Sequence, residues 1–260
     1  MRIRFVLAAA IATAAAMAAA PASALQVTLT PVRDSTVFQD NADYSGGASP
    51  VLFVGNTAGG SARRALIEFD LSQIPAGSEI ESVSLRIMVD RNGTGSSPAD
   101  LALLHRLTAD WGEGSADAGT GGGGTQASPD DATWAYRFYG SPPAVPRIDW
   151  TSAGGDFVAT ASGQTALSSL GMISFASTAG LVGDVQRWLD DPFSNFGWIM
   201  IGDESRDQNA RRFFSRSALG VGDRPLLTID YTAPIPEPST YVMLLAGLGL
   251  LGFLARRRGH

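Results

Sequence analysis

The chain contains no cysteine and no lysine, and it has only two histidines, His105 and His260. Without cysteine no disulfide staples the fold, no thiolate nucleophile is available, and cysteine-bound structural zinc is excluded. A histidine metal cluster lacks ligands, and a Ser-His-Asp triad would have to use His105, with no G-x-S-x-G elbow beside it. His105 runs in phase with Leu101, Leu103 and Leu107, which predicts a hydrogen-bonded core histidine rather than a base. With lysine absent, every cation is an arginine. Genomic codon bias is the plainer explanation of that composition; the sharper one is that exposed guanidinium forks bind carboxylate or sulfate bidentately.

Long apolar runs occur only at the two ends. Arg2 and Arg4 precede an apolar stretch from Phe5 to Ala20, and Pro21-Ala22-Ser23-Ala24 supplies an A-x-A cleavage signal. Residues 1–24 therefore read as a secretory signal peptide. At the other end Pro236-Glu237-Pro238 leads into the apolar segment Tyr241 to Ala255, closed by Arg256-Arg257-Arg258. Fifteen apolar residues make roughly 22 Å of helix, short against a bilayer core of about 30 Å. The arginines predict a cytoplasmic C-terminus. Gly247, Gly249 and Gly252 spell a dinucleotide fingerprint, but no strand precedes them and no soluble helix follows, so they read as small residues of a membrane helix.

Removing the five terminal arginines and Glu237 leaves 14 arginines against 24 acids in residues 25–235, a net charge of about −10. Such a domain repels nucleic acid and anionic membrane surfaces. Its length suits one large β domain and leaves little room for a second.

Between the ends the pattern is short β segments broken by Gly, Pro, Asn, Asp and Ser. Strands are expected at Val27 to Val32, Val37-Phe38, Val51 to Val54, Arg63 to Leu71, Glu81 to Asp90 and Asp100 to Thr108. Val83, Leu85, Ile87 and Val89 share one face of the fifth. Gly112 to Ser128 is glycine-rich and reads as a flexible surface insertion without a core. Further strands are expected near Asp156 to Ala161 and Met172 to Ala176. Leu181, Val182, Val185, Trp188 and Leu189 fall at helical spacing and end at Asp190-Asp191-Pro192, predicting one short amphipathic helix. Phe196 to Ile201, Arg212 to Ser217 and Pro225 to Tyr231 close the domain. The expected fold is an all-β, antiparallel, jelly-roll-like sandwich over residues 25–232 with one short helix. Residues 233–260 form a linker and tail.

The tail closely resembles a PEP-CTERM sorting tail, which marks exported proteins of Gram-negative bacteria for an exosortase at the inner membrane. The resemblance implies Pro236, Glu237 and Pro238 as the sorting motif and exosortase as a partner. It also implies transient anchoring in the inner membrane, then a cell-surface or extracellular destination. A second likeness runs through the domain. Asp34 and the loop at 43–46, Arg64-Ala65-Leu66-Ile67-Glu68-Phe69-Asp70-Leu71-Ser72, Ile74-Pro75-Ala76-Gly77 and Ser84-Leu85-Arg86-Ile87 are followed by Leu104 to Thr108 and Trp111 to Gly114. Val182 to Leu189, Asn195-Phe196-Gly197, Arg212 to Arg216 and Arg224 to Ile229 complete the order. The set resembles the DNRLRE-type domain grouped with carbohydrate-binding module family 96. It implies a β-sandwich that binds polysaccharide or exopolysaccharide matrix, often acidic. The chain departs from that pattern in its glycine-expanded 112–150 region and its acidity.

Arg64, Arg86, Arg106, Arg212 and Arg216 would line a ligand groove if their strands are neighbours, with Arg86 and Arg106 expected to point outward; pairing with surface acids is the alternative. Trp134 and Tyr136, with Tyr139, would give a sugar-stacking platform or fill a loop core. Asp40, Asn41 and Asp43 offer oxygen ligands for a structural Ca²⁺, without EF-hand spacing. Asp110 with Glu113, or Asp203 with Glu204, are the acid pairs a glycoside hydrolase or lyase would need. The expected function is a non-catalytic, exported carbohydrate-binding module. A structural surface protein without a ligand, and a polysaccharide hydrolase or lyase, are the alternatives.

Overall fold

The computed structural model describes residues 24–140, 142–167, 170–234, 245–249 and 257. Residues 245–249 are helical, and among the described residues no helix is long and apolar enough to cross a membrane. The signal segment and Pro236, Glu237 and Pro238 lie outside the described residues. Residues Leu25–Pro234 form one compact unit, and both hydrophobic clusters described below lie inside it.

Strands β1 (Ala24–Leu29), β2 (Pro31–Phe38), β3 (Tyr44–Ser45), β4 (Val51–Asn56) and β5 (Ala62–Phe69) precede the longest, β6 (Glu79–Arg91). Next come β7 (Leu101–Arg106), β8 (Thr125–Gln126), β9 (Tyr136–Phe138), β10 (Ile148–Asp149), β11 (Gly163–Ala166) and β12 (Gly171–Phe175). Helix α1 (Ala179–Asp190) is followed by β13 (Trp198–Ile201), β14 (Arg211–Phe214) and β15 (Leu226–Thr232). The expected segment 156–161 is not a strand; Phe157 makes only an isolated bridge to Leu107. Its backbone follows the edge of β7, with Val158 N–H donating to the Arg106 carbonyl, and continues along that edge into β11, which pairs with β7.

Eleven strands join in one curled antiparallel sheet, ordered β1-β15-β6-β14-β4-β5-β13-β7-β11, with β12 on β6 and β2 on β5. Strand β4 turns the corner. Val51 to Val54 pair with β14, while Gly55 and Asn56 pair with β5. Gly55 makes this possible with φ of +105°, a conformation costly for any side chain. The sheet thereby folds into the two layers of the expected sandwich, one built around β6 and one around β5, β13 and β7.

The main core lies between the layers. Val83, Leu85, Ile87 and Val89 of β6 are all at most 1% exposed and meet Ala65, Ile67 and Phe69 of β5 with Trp198 and Met200 of β13. Helix α1 joins this core through Leu181, Val185, Trp188 and Leu189. Thr178 caps it, its hydroxyl accepting from Leu181 N–H at 3.1 Å. Trp188 meets Trp198 edge-on, with ring centroids 4.6 Å apart. The Trp198 indole N–H donates to Asp184 Oδ2 at 2.8 Å, and Asp184 Oδ1 pairs with Arg106 at 3.0 Å.

That last contact corrects the expected phase of β7. Ala102 and Leu104 face the main core, and Arg106 continues their side to reach the helix. His105 is 8% exposed on the other side, its ring Nδ1 2.9 Å from the Val158 carbonyl and its ring against Phe157, as a satisfied core histidine requires. Alternation misled here because the His105 side of β7, exposed at Leu101, is covered toward its far end by Phe157, so both sides carry buried residues there.

The second burial surface is the outer face of the β5 layer. Leu66, Ile199 and Leu107 pack there under Trp111, Ala132, Trp134 and Trp150 of the long segment 109–157. The glycine-rich stretch is therefore not a loose insertion. A Cβ at Gly112 would sit 1.7 Å from the Asp130 carbonyl oxygen. One at Gly114, whose φ is +64°, would sit 1.9 Å from the Asp131 carboxylate. These glycines are where backbone closes on backbone or on a buried carboxylate. Ala116 and Ala127 then tie the segment to the 39–50 loop, through Ala48 N–H to the Ala116 carbonyl and Ala127 N–H to the Asp43 carbonyl, both 2.9 Å.

Candidate functional site

Four of the five nominated arginines are engaged with acids in separate ion pairs. Arg64, on β5, donates to both oxygens of Glu204 at 2.7 and 2.8 Å and to the Gly154 carbonyl at 3.0 Å. Its guanidinium lies 4.7 Å above the Trp134 ring. Arg106 pairs with Asp184, and Arg212 with Asp90, its Nε donating at 2.6 Å. Arg216 clasps both oxygens of Glu113. Arg86 alone of the five is exposed and in no ion pair among the described residues, on the face of β6 turned away from the core.

The aromatic set divides as well. Trp134 is 9% exposed, with one face against the outer core and Arg64 over its ring. Tyr136 is half-buried and meets Tyr139 edge-on at 5.9 Å, with Arg147 stacked over both rings at 4.9 and 4.4 Å. The hydroxyls of the two tyrosines accept from Arg147. In the 40–43 loop, both oxygens of Asp40 contact Arg63 at 2.9 Å, and Asp43 stands 3.8 Å from Arg147. Asn41 contributes its backbone carbonyl to the turn, accepting from Tyr44 N–H. Among the described residues no group of three or more acidic or histidine side chains is arranged to hold a metal ion. The Asp40 carboxylate that a Ca²⁺ would need is already neutralised by an arginine.

The nominated acid pairs are engaged too. Asp110 accepts from Arg33 at 2.6 Å and Glu113 from Arg216; Asp203 accepts from Arg206 at 2.9 Å and Glu204 from Arg64. Hydrogen bonds from Ser205 hold Asp203 below the usual carboxylate range. One carboxyl behaves oppositely. Asp34 is fully buried on β2; its Oδ2 accepts from Arg216 N–H at 2.7 Å and its Oδ1 has no partner. Burial pushes it up to about 7, against the Arg216 N–H, and neighbouring Glu113 raises it further.

Residues 25–117 match the family model of carbohydrate-binding module family 96, and residues 234–258 match the PEP-CTERM protein-sorting motif. The first part of the domain is thus similar to a family-96 module, and the C-terminal segment to the sorting motif. No curated protein matches the chain. The family-96 match takes in β1 to β7 but stops inside the segment that covers the outer face. The chain completes the sandwich from beyond the match, since β13 lies between β5 and β7, and β14 and β15 flank β6.

Sequence reasoning missed one concave feature of the domain. A cleft of about 690 Å³ opens between the loop after β5 and the C-terminal end of α1. Its walls include Glu68 and Asp70 on one side and Trp188 and Leu189 on the other. Burial raises the Glu68 carboxyl, opposed by the Arg33 guanidinium that donates to it at 2.6 Å. A signal was present in the sequence: Phe193 is an aromatic in the polar turn Asp190-Asp191-Pro192-Phe193-Ser194-Asn195, where nothing local needs one.

Proposed function

We propose that the protein is a non-catalytic carbohydrate-binding module, exported and sorted by an exosortase, that holds saccharide at the cell surface or in an extracellular matrix. The family-96 and sorting-motif matches support binding and export. The observation that carries the non-catalytic part is that all four nominated acids are engaged by arginines. Glycoside hydrolysis needs one carboxyl free to deliver a proton and another free to attack or activate water. Neither pair offers that. The same ion pairs leave four of the five nominated arginines unavailable to an anionic chain, and the net charge of about −10 repels one.

The test uses residues 25–234 in affinity gels containing uncharged and acidic polysaccharides, together with reducing-sugar assays. Retardation on an uncharged polysaccharide without sugar release is expected. Absence of retardation on every gel overturns the binding reading. Sugar release abolished by Asp110→Ala or Glu113→Ala overturns the non-catalytic one. For sorting, mature surface protein should lack the tail, and an intact tail there overturns processing by exosortase.

A further inference from the structure

The cleft beside α1 combines three features that the rest of the described surface does not bring together. Its floor is apolar, formed by Leu71, Ile74 and Leu189. Its polar groups are mostly acceptors or hydroxyls: Glu68, Asp70, Ser72 and Asn195. Its volume of about 690 Å³ lies within the ~300–1,000 Å³ typical of small-ligand sites.

Two further observations point to an occupant. Trp111, Trp150 and Trp198 each donate their buried indole N–H to a protein oxygen, at 2.9, 2.9 and 2.8 Å. Trp188, which lines the cleft, does not: its Nε1 is buried without an acceptor in the protein. A buried donor without a partner is costly, and a ligand oxygen or a water that a ligand displaces relieves it. In the turn after α1, Phe193 is 91% exposed, the one exposed large aromatic among the described residues. It sits between Pro192 and Asn195, both of which line the cleft, and Val32, 44% exposed, lines it too. An aromatic held in water at the lip of an acceptor-lined cleft suits the C–H face of a sugar ring.

We infer that the cleft between the β5–β6 loop and the end of α1 is a saccharide subsite for an uncharged, hydroxyl-rich sugar unit. Phe193 stacks on the ring, Asp70 and Asn195 accept from its hydroxyls, and Trp188 N–H donates to one of its oxygens. Glu68 is already paired with Arg33, Asp70 is held only by the N–H and hydroxyl of Ser72, and no guanidinium lines the cleft to attract an anion. This inference rests on the carbohydrate-binding reading above and assigns its place and ligand class.

The experiment measures binding of a soluble uncharged β-glucan, a galactomannan, a polyuronate and a chitosan to residues 25–234 by calorimetry. Phe193→Ala, Asp70→Asn and Trp188→Phe are compared with the parent, and the melting temperature of each is recorded. The lip residues Phe193 and Asp70 are exposed, so those two variants keep the fold. Trp188→Phe keeps an aromatic ring while deleting the unpartnered N–H. The expected result is binding of an uncharged polymer that weakens about tenfold in Phe193→Ala and severalfold in the other two. Parent-level affinity in Phe193→Ala and Asp70→Asn overturns the subsite while leaving carbohydrate binding in place. Tighter binding of polyuronate or chitosan than of either uncharged polymer overturns the ligand class. If the parent binds none of the four, both readings fall.

Discussion

The β5 layer is covered on both faces, and the two coverings are built differently. On the inner face, alternating aliphatic residues of β5, β13 and β6 meet one another and α1, with charged links in the buried pairs Asp184 with Arg106 and Asp100 with Arg211. On the outer face, segment 109–157 brings three tryptophans onto Leu66, Leu107 and Ile199. Those rings are fixed by polar contacts. Trp111 donates to the Phe196 carbonyl and Trp150 to that of Thr133, while Arg33 and Arg64 lie 4.6 and 4.7 Å over Trp111 and Trp134. One face is a pleated core. The other is irregular backbone clamped by indoles and guanidinium groups, with Gly112 where it meets the Asp130 main chain and Gly114 where it meets the Asp131 carboxylate. Glycine content therefore marks close approach here rather than mobility.

The largest effect separates the two coverings. Trp198→Ala and Trp111→Ala each remove a fully buried indole and should each cost about 3–5 kcal/mol. Trp198→Ala should lower the urea midpoint of the whole domain, because it opens the inter-layer core and frees Asp184. Trp111→Ala should instead expose residues 112–128 to protease while the sandwich stays folded, since it releases Arg33 and the outer cover alone. Simultaneous loss of both regions in both variants, seen by limited proteolysis across a urea series, would show that the coverings unfold as one unit.

The next effect sits where the regions meet. Asp34 belongs to β2 of the sandwich, and Glu113, whose Oε1 accepts from Asp34 N–H at 2.9 Å, belongs to the outer segment. With its carboxyl raised from 3.8 to about 7, folded Asp34 keeps a proton that the unfolded chain has released. Its contribution is therefore most favourable below about pH 4 and declines as pH rises to about 7, by on the order of 4 kcal/mol. The raised carboxyls of Glu68 and Asp131, both driven by burial, work in the same direction. Asp34→Asn keeps an oxygen to accept from Arg216 N–H and cannot ionise. Melting curves from pH 4 to 8 should be flatter for this variant, with higher stability than the parent at pH 7.5. An unchanged pH slope would show that Asp34 does not titrate in this window.

The sandwich was legible and its cover was not, for a physical reason. The long strand, the helix stripe and the closing strands follow periods of 2 and 3.6 that the sequence displays directly. Trp188 as core and His105 as a satisfied core residue follow from the same logic. The outer segment has no period, because its strands β8, β9 and β10 are two or three residues long and its contacts are backbone to backbone. The arginine groove failed to assemble for a related reason. Strand phase shows which side a guanidinium leaves from, but not the acid waiting there from a distant segment, such as Glu204 for Arg64. The cleft was illegible because its walls come from three separated stretches, around Val32, Glu68 to Ala76 and Trp188 to Asn195.

The smallest effect tests the reading of glycine within the one stretch that composition marks as uniform. An alanine at Gly112 drives its Cβ to 1.7 Å from the Asp130 oxygen, so the backbone pair must part, at a cost of about 1–3 kcal/mol. An alanine at Gly123 meets nothing within 4 Å, and Gly123 is not among the glycines of positive φ. There the substitution only restricts the unfolded chain and should stabilise by about 0.4–1 kcal/mol. Opposite signs in urea midpoints separate glycines that the fold requires from one it merely tolerates. If Gly112→Ala proves as neutral as Gly123→Ala, the outer segment yields freely, and the clamp on the β5 layer rests on its tryptophans and arginines alone.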